Sequence, residues 1–188
     1  MLLGVFDGHG GSACAQVISK RLLNYISACL LPPNILQKFF QSTSTDKNSQ
    51  LLQTFNDKAR FIDEIEKLYQ ESFISFLKDL KNKPNKEFQM EAAMEEAFLR
   101  LDDDISREAL TAKGENVART LSVAMSGAVA AVAHIDGPHL HVANVGDCQV
   151  VLGVLSGMHR SNITTKNNKL YSNEQKTLST YKFIAFRK

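Results

Sequence analysis

Several common functional signatures are missing from this 188-residue chain. Cysteine is scarce: Cys14, Cys29 and Cys148 are widely spaced and form no CxxC, so nothing points to a disulfide scaffold. A reducing compartment is the simplest setting for three such thiols, with Cys14 and Cys29 acting as small hydrophobes on a helix face. No apolar run reaches the roughly 18 residues that a membrane span needs. No signal or transit peptide is recognisable, because the chain starts directly on an apolar strand-like run. An excess of one charge is also absent, with 22 Lys and Arg against 20 Asp and Glu. That balance hides a division: Ser156 to Lys188 holds seven basic residues and one acid, Glu174, and the remainder is mildly acidic. An acidic folded part argues against a nucleic-acid surface. Finally, no aspartate follows Asp147.

What is present begins at the second residue. Leu2 to Phe6 reads as a short buried strand, ending at an Asp7-Gly8 turn, with Gly8, Gly10 and Gly11 leaving the backbone bare. An amphipathic helix follows at once. A carboxylate at the strand's end suits a hard cation, and the Gly8 carbonyl can reach the same ion. His9 then lies near enough to exchange a proton with what that ion activates. Plainer readings stand beside this one: a turn, a solvated loop histidine, a glycine helix entry. Phosphate cradles are poorly matched, since His9 to Cys14 lacks the third glycine of GxGxxG and no GK[ST] occurs.

With 44% apolar residues the chain is long enough for one domain and too short for two. The apolar spacing of Cys14, Ile18, Leu22, Tyr25, Ile26 and Cys29 predicts a helix from about Gly11 to Leu31, stopped by Pro32-Pro33. Between Asn34 and Asp57 lies a polar stretch, Gln41 to Gln50, that reads as a mobile excursion. Asn56 or Asp57 is placed to cap a second helix with the stripe Ile62, Ile65, Tyr69, Phe73, Phe76, Leu77 and Leu80. A third carries Met90, Met94, Ala97, Phe98, Leu101 and Ile105. Its consecutive Asp102, Asp103 and Asp104 point about 100° apart and cannot converge on one ion, so they read as a solvated face.

From Leu121 the pattern changes to strand. Val123 to Ile135, Leu140 to Asn144 and Cys148 to Val154, joined by turns at Asp136-Gly137-Pro138 and Gly146-Asp147, predict an antiparallel meander. His139 and His141 share one face at a spacing zinc sites use, but no third or fourth ligand is in view, and two surface histidines are the expectation. After Val154, twelve of the last 33 residues are Ser, Thr or Asn, which reads as a disordered basic tail. Tyr181 to Phe186 alternates like a strand with no partner in sight.

Three anchors occur in order: Val5-Phe6-Asp7-Gly8-His9-Gly10-Gly11, the small-residue run Ser126-Gly127-Ala128-Val129-Ala130, and Leu140-His141-Val142-Ala143-Asn144-Val145-Gly146-Asp147. Together they resemble the PPM-type, metal-dependent protein serine/threonine phosphatases, over Leu2 to about Val154. The phrases Ala13-Cys14-Ala15-Gln16 and Arg21-Leu22-Leu23-Asn24-Tyr25-Ile26 look most like the pyruvate dehydrogenase phosphatase branch. The resemblance implies an α+β fold, an antiparallel β-sandwich flanked by antiparallel helices, here incomplete. It implies a two-metal site for Mg²⁺ or Mn²⁺, with a weaker third ion, and a metal-activated water that attacks the phosphoserine directly. Carried over by position, Asp7 bridges the metals, the Gly8 carbonyl binds one, Asp147 helps hold the third, and catalytic His9 protonates the departing serine oxygen. Implied partners are phosphorylated pyruvate dehydrogenase and its lipoyl-bearing acetyltransferase core, in the mitochondrial matrix.

The departures from that pattern are specific. The family's acidic ligand and phosphate-binding arginine precede DGHGG, so no phosphate-binding residue is assigned here, and its downstream DG and DN aspartates have no counterpart. Val129 stands where a threonine is usual, and Cys148-Gln149 follows Gly146-Asp147 in place of Ser-Arg. The expectation is a partial phosphatase domain over residues 1–155 with an unrelated tail over 156–188. A catalytically dead truncated fragment, acting at most as a binding module, is the alternative.

Overall fold

The computed structural model describes residues 1–41, 63–83 and 88–151, and the backbone of two further strands at 163–166 and 181–186. Ile62, Asn56 and Asp57 lie outside the described residues. The chain divides into two units, one of residues 1–19 with 126–188 and one of residues 20–125.

The first unit is a sheet. Strand β1, Leu2–His9, pairs antiparallel with β2, Gly127–Asp136, which pairs antiparallel with β3, His139–Val145. The antiparallel pairing of the opening strand with the small-residue run is the arrangement the resemblance implies. Small side chains suit β2 because it is central: Ala130, Ala131 and Val132 are buried between its neighbours. Two parts of the meander differ. Val123 is helical, in α5, Asn116–Met125, where Thr120 and Val123 recur at i and i+3 as the buried face, and the strand begins only after Ser126. Cys148 to Val151 is not strand either, because the Asn144 side-chain amide donates to the Cys148 carbonyl at 3.0 Å and holds the chain in a turn.

The place beside β3 belongs to β5, Tyr181–Phe186, which pairs with it in parallel and in turn pairs with β4, Ile163–Lys166. The sheet order is β1-β2-β3-β5-β4. Tyr181 to Phe186 therefore has a strand partner that the sequence pattern does not reveal, and a disordered tail does not describe these two segments. One sheet is present among the described residues, together with helices, so the fold is α+β. The face-to-face second sheet of a sandwich is not among the described residues, and on the Asp7 face of β1 Leu3 and Val5 are 52% and 70% exposed.

The second unit is helical. Helix α1, Ala13–Cys29, passes into it from the first unit, followed by α2, Pro33–Gln41, α3, Asp63–Lys81, α4, Met90–Thr111, and α5. A further helix thus leads up to Gln41, and the polar stretch beyond it lies outside the described residues. Pro33 sits at the first helical position, where its missing N–H costs nothing, and Leu36 is buried. Tyr25 stacks on Phe76 at 5.0 Å between centroids, with Phe73 tilted against it at 5.3 Å. Leu22, Ile26, Leu77, Met94 and Leu101 fill the core around them.

A buried polar network crosses this core. Arg21 forks onto Glu108 at 2.7 and 2.8 Å, lies 4.0 Å over the Tyr69 ring, and donates to the Tyr25 hydroxyl at 3.2 Å. The Tyr25 hydroxyl donates to Asp104 at 2.7 Å, and Asp104 also accepts from Arg100 at 3.0 Å and Arg107 at 2.5 Å. Asp104 is 1% exposed, so the solvated-face expectation fails for one of its three residues. It points inward because Tyr25 and two arginines satisfy its oxygens, while Asp102 and Asp103 face solvent.

Candidate active site

Strand β1 does not stop at Phe6. Pairing continues through Asp7 opposite Val129, Gly8 opposite Ala128 and His9 opposite Gly127, and the chain turns only at Gly10 and Gly11, with φ of 68° and 134°. Asp7 and His9 are two apart in a strand and so stand on one face. Both are exposed, as is Asp147.

Bare backbone has three separate causes here. A Cβ on Gly127 would meet His9 Nε2 at 2.1 Å, so the imidazole lies over the opposing strand only because that position is glycine. A Cβ on Gly8 would meet the Gly11 carbonyl oxygen at 2.8 Å and Ala15 at 3.2 Å, where α1 closes on the strand. A Cβ on Gly146, at φ 83°, would lie 2.3 Å from Val129 Cγ1. The helix entry is also held from a distance: Ser126 Oγ accepts the Cys14 N–H at 3.0 Å, so one orphan donor of the first turn is satisfied across the fold.

Val129 ties the two aspartates together. It is the register partner of Asp7, and Gly146, which precedes Asp147, closes on its side chain. Both carboxylates therefore lie at one end of the sheet, on either side of the start of β2. Cys148 senses both: burial first, then the charges of Asp147 and Asp7, push its thiol above the ordinary value.

The donors suit Mg²⁺ or Mn²⁺ in kind, being carboxylate oxygens with a glycine carbonyl beside them. Their number is short. Among the described residues no three His, Cys, Asp or Glu side chains meet in a group that could hold a metal ion, whereas a hard cation takes about six ligands. The described residues do not complete a two-metal centre.

An antiparallel sheet that brings a DGHGG turn and a second aspartate to one end defines a class, and comparison bears this out: the protein phosphatase 2C family matches residues 23–175, and the chain belongs to that family. The match starts beyond the Asp7 turn, so the two observations are separate. The chain is similar to the human pyruvate dehydrogenase (acetyl-transferring) phosphatase 1, mitochondrial, at 40% identity over 161 residues, 82% of this chain and 30% of the relative. The rat protein of that name shows the same figures, and human phosphatase 2 of the same kind is 38% identical over 163 residues, again 82% and 30%. The chain thus spans under a third of the length of these relatives. No described helix is long and apolar enough to cross a membrane.

Proposed function

We propose that this chain is part of a metal-dependent protein serine/threonine phosphatase that removes phosphate from pyruvate dehydrogenase in mitochondria. The observation that carries the reading is the row Asp7–Val129–Gly146–Asp147, which joins two carboxylates at one sheet end beside His9. Family membership and the names of the relatives support the reaction and the substrate. In this reading Asp7 and Asp147 supply oxygen donors for Mg²⁺ or Mn²⁺, the Gly8 carbonyl adds another, and exposed His9 is placed to give a proton to the departing serine oxygen. The lipoyl-bearing acetyltransferase core and the matrix follow from the same resemblance. Residues 1–155 form the phosphatase part in this reading, and the tail is an addition to it.

The test is a chimera in which this chain's matched segment replaces the corresponding segment of a full-length relative. Metal-dependent release of phosphate from phosphorylated pyruvate dehydrogenase, lost on Asp7→Asn, is the expected result. A folded chimera without turnover contradicts the proposal.

A second reading has its own observation, the absence of a three-ligand group among the described residues. On that reading the 188-residue chain alone turns over phosphoserine peptide at no more than a trace rate and acts at most as a binding module. Robust activity of the chain alone, abolished by Asp7→Asn, would overturn it.

A further inference from the structure

The β2–β3 hairpin carries three of the chain's five histidines within eight residues. Its loop is the two-residue turn Gly137-Pro138, closed by the Asp136–His139 pair, with Gly137 at φ 54°. A glycine with positive φ at the first loop position is what a type II′ turn requires. So short a loop leaves the register no freedom, and it sets His134 directly opposite His141. Partners across an antiparallel pair share a face, as do residues two apart on a strand. His134, Asp136, His139 and His141 therefore stand together on one face at the hairpin's end. The rings of His134 and His141 are 6.1 Å apart and those of His139 and His141 are 6.4 Å apart, centroid to centroid.

The pair at 139 and 141 lacks further ligands in the sequence, and the fold supplies them from the opposite strand. His134 is the anchor. It is 8% exposed, and its Nδ1 is buried with no hydrogen-bond partner. A buried polar nitrogen in that state carries an uncompensated desolvation cost, which a bound ligand would remove. We propose that this face is a zinc-class metal site, with His134, His139 and His141 coordinating Zn²⁺ through imidazole nitrogens and Asp136 completing a tetrahedral set.

Zinc–nitrogen bonds of about 2.0–2.1 Å with tetrahedral angles put two bound imidazole centroids roughly 5 Å apart. The rings here stand wider than that, and as placed the four side chains form no ligand group. The closure falls mainly on His139, which is exposed, where small side-chain rotations are cheap. Metal binding needs neutral imidazole. Imidazole donors favour Zn²⁺, Cu²⁺ or Ni²⁺ over Mg²⁺ and Mn²⁺. Val129, the partner of Asp7, is five residues from His134, so the two sites occupy opposite faces and opposite ends of β2. The histidine site does not rest on the phosphatase reading.

The experiment titrates Zn²⁺ into the 188-residue chain against a chromophoric chelator, with Co²⁺ as a spectroscopic probe. The wild type is expected to take up about one equivalent and to show the intense visible band of tetrahedral Co²⁺. His139→Ala and His141→Ala should each weaken uptake roughly tenfold or more with an unchanged circular dichroism spectrum. Asp7→Asn should leave uptake unaltered. His139 is exposed, so its variant keeps the test informative if His141→Ala disturbs folding. Absence of stoichiometric uptake, uptake that persists in the double histidine variant, or uptake that follows the cysteines in Cys14→Ser and Cys148→Ser would overturn the proposal.

Discussion

Asp7 and Asp147 meet at Val129. Asp7 faces it as the register partner across β1 and β2, and Gly146 presses against its side chain with the next residue, Asp147, at the same sheet end. Two carboxylates 140 residues apart in sequence are thus brought to one sheet end, and a residue of the wrong size at position 146 or 129 would shift one carboxylate relative to the other.

Gly146→Ala is expected to be costly on two counts. Its φ is 83°, and the new Cβ would lie 2.3 Å from Val129 Cγ1. Strain and overpacking of this sort cost about 1–3 kcal/mol each. Urea unfolding should show a lowered midpoint, and Val129→Ala in the same background should recover the packing part alone. An unchanged midpoint in Gly146→Ala would contradict the placement of the turn.

Glu108→Gln should destabilise the helical unit strongly. Arg21 and Glu108 are 5% and 4% exposed, and breaking a buried pair leaves a charge without its counter-ion, about 3–5 kcal/mol. Burial is the largest single influence and works against the Arg21 charge, but the hydrogen bonds and charges of Glu108 and Tyr25 together outweigh it, so the guanidinium stays charged. The double change Arg21→Met with Glu108→Leu removes both charges and should lose clearly less than the single change. Denaturation midpoints of the three variants decide this, and an equal loss in all three would count against it.

Stability should fall as the solution is acidified below about neutral, in part because of His134. Its folded value lies below the ordinary 6.5, mainly through burial. The unfolded chain then takes up the proton first, so folding is favoured above 6.5 and that contribution is lost as pH drops toward the folded value. His134→Gln should flatten this part of the profile between pH 7 and 5, measured by thermal melts. An unaltered slope would show that His134 does not titrate as placed.

Cys29 should be the slow thiol. Burial, followed by the charge of Glu96, pushes it up to about 12, against an ordinary value of 9.0. At pH 8 a thiol with that value is ionised about once in 10⁴ molecules, and alkylation needs the thiolate. Iodoacetamide labelling followed by peptide mass analysis should show Cys29 lagging far behind its rate in the urea-unfolded chain. Equal rates folded and unfolded would refute the burial.

The parts of the fold that are legible in the sequence are those set by local pattern. The Leu2 strand, the small-residue strand and the long helices follow from periodicity, and Gly137-Pro138 marks its hairpin directly. What is not legible depends on distant partners. Asp104 reads as one of three solvated acids until Tyr25, Arg100 and Arg107 close around it. Pro33 reads as a breaker and serves as a helix start. Tyr181 to Phe186 has a strand's alternation, but its pairing with β3 is a long-range, parallel contact that no local signal encodes. At the candidate site, Asp7, His9 and Asp147 are named by motif, whereas the roles of Ser126, Gly127 and Val129 emerge only from register. The zinc-spaced histidines divide in the same way, with the 139–141 pair visible and His134 supplied by the turn.

The most direct test of the shared carboxylate end is a Mn²⁺ titration of the 188-residue chain, read by water-proton relaxation, across Asp7→Asn, Asp147→Asn and the double variant. Two carboxylates with mostly water ligands should bind weakly, at about the millimolar level. Each single change should weaken binding, and the double change should add little beyond the worse single, because the proposed site has both side chains serve one shared metal cluster. Fully additive losses, or Mn²⁺ binding indifferent to either aspartate, would contradict the account.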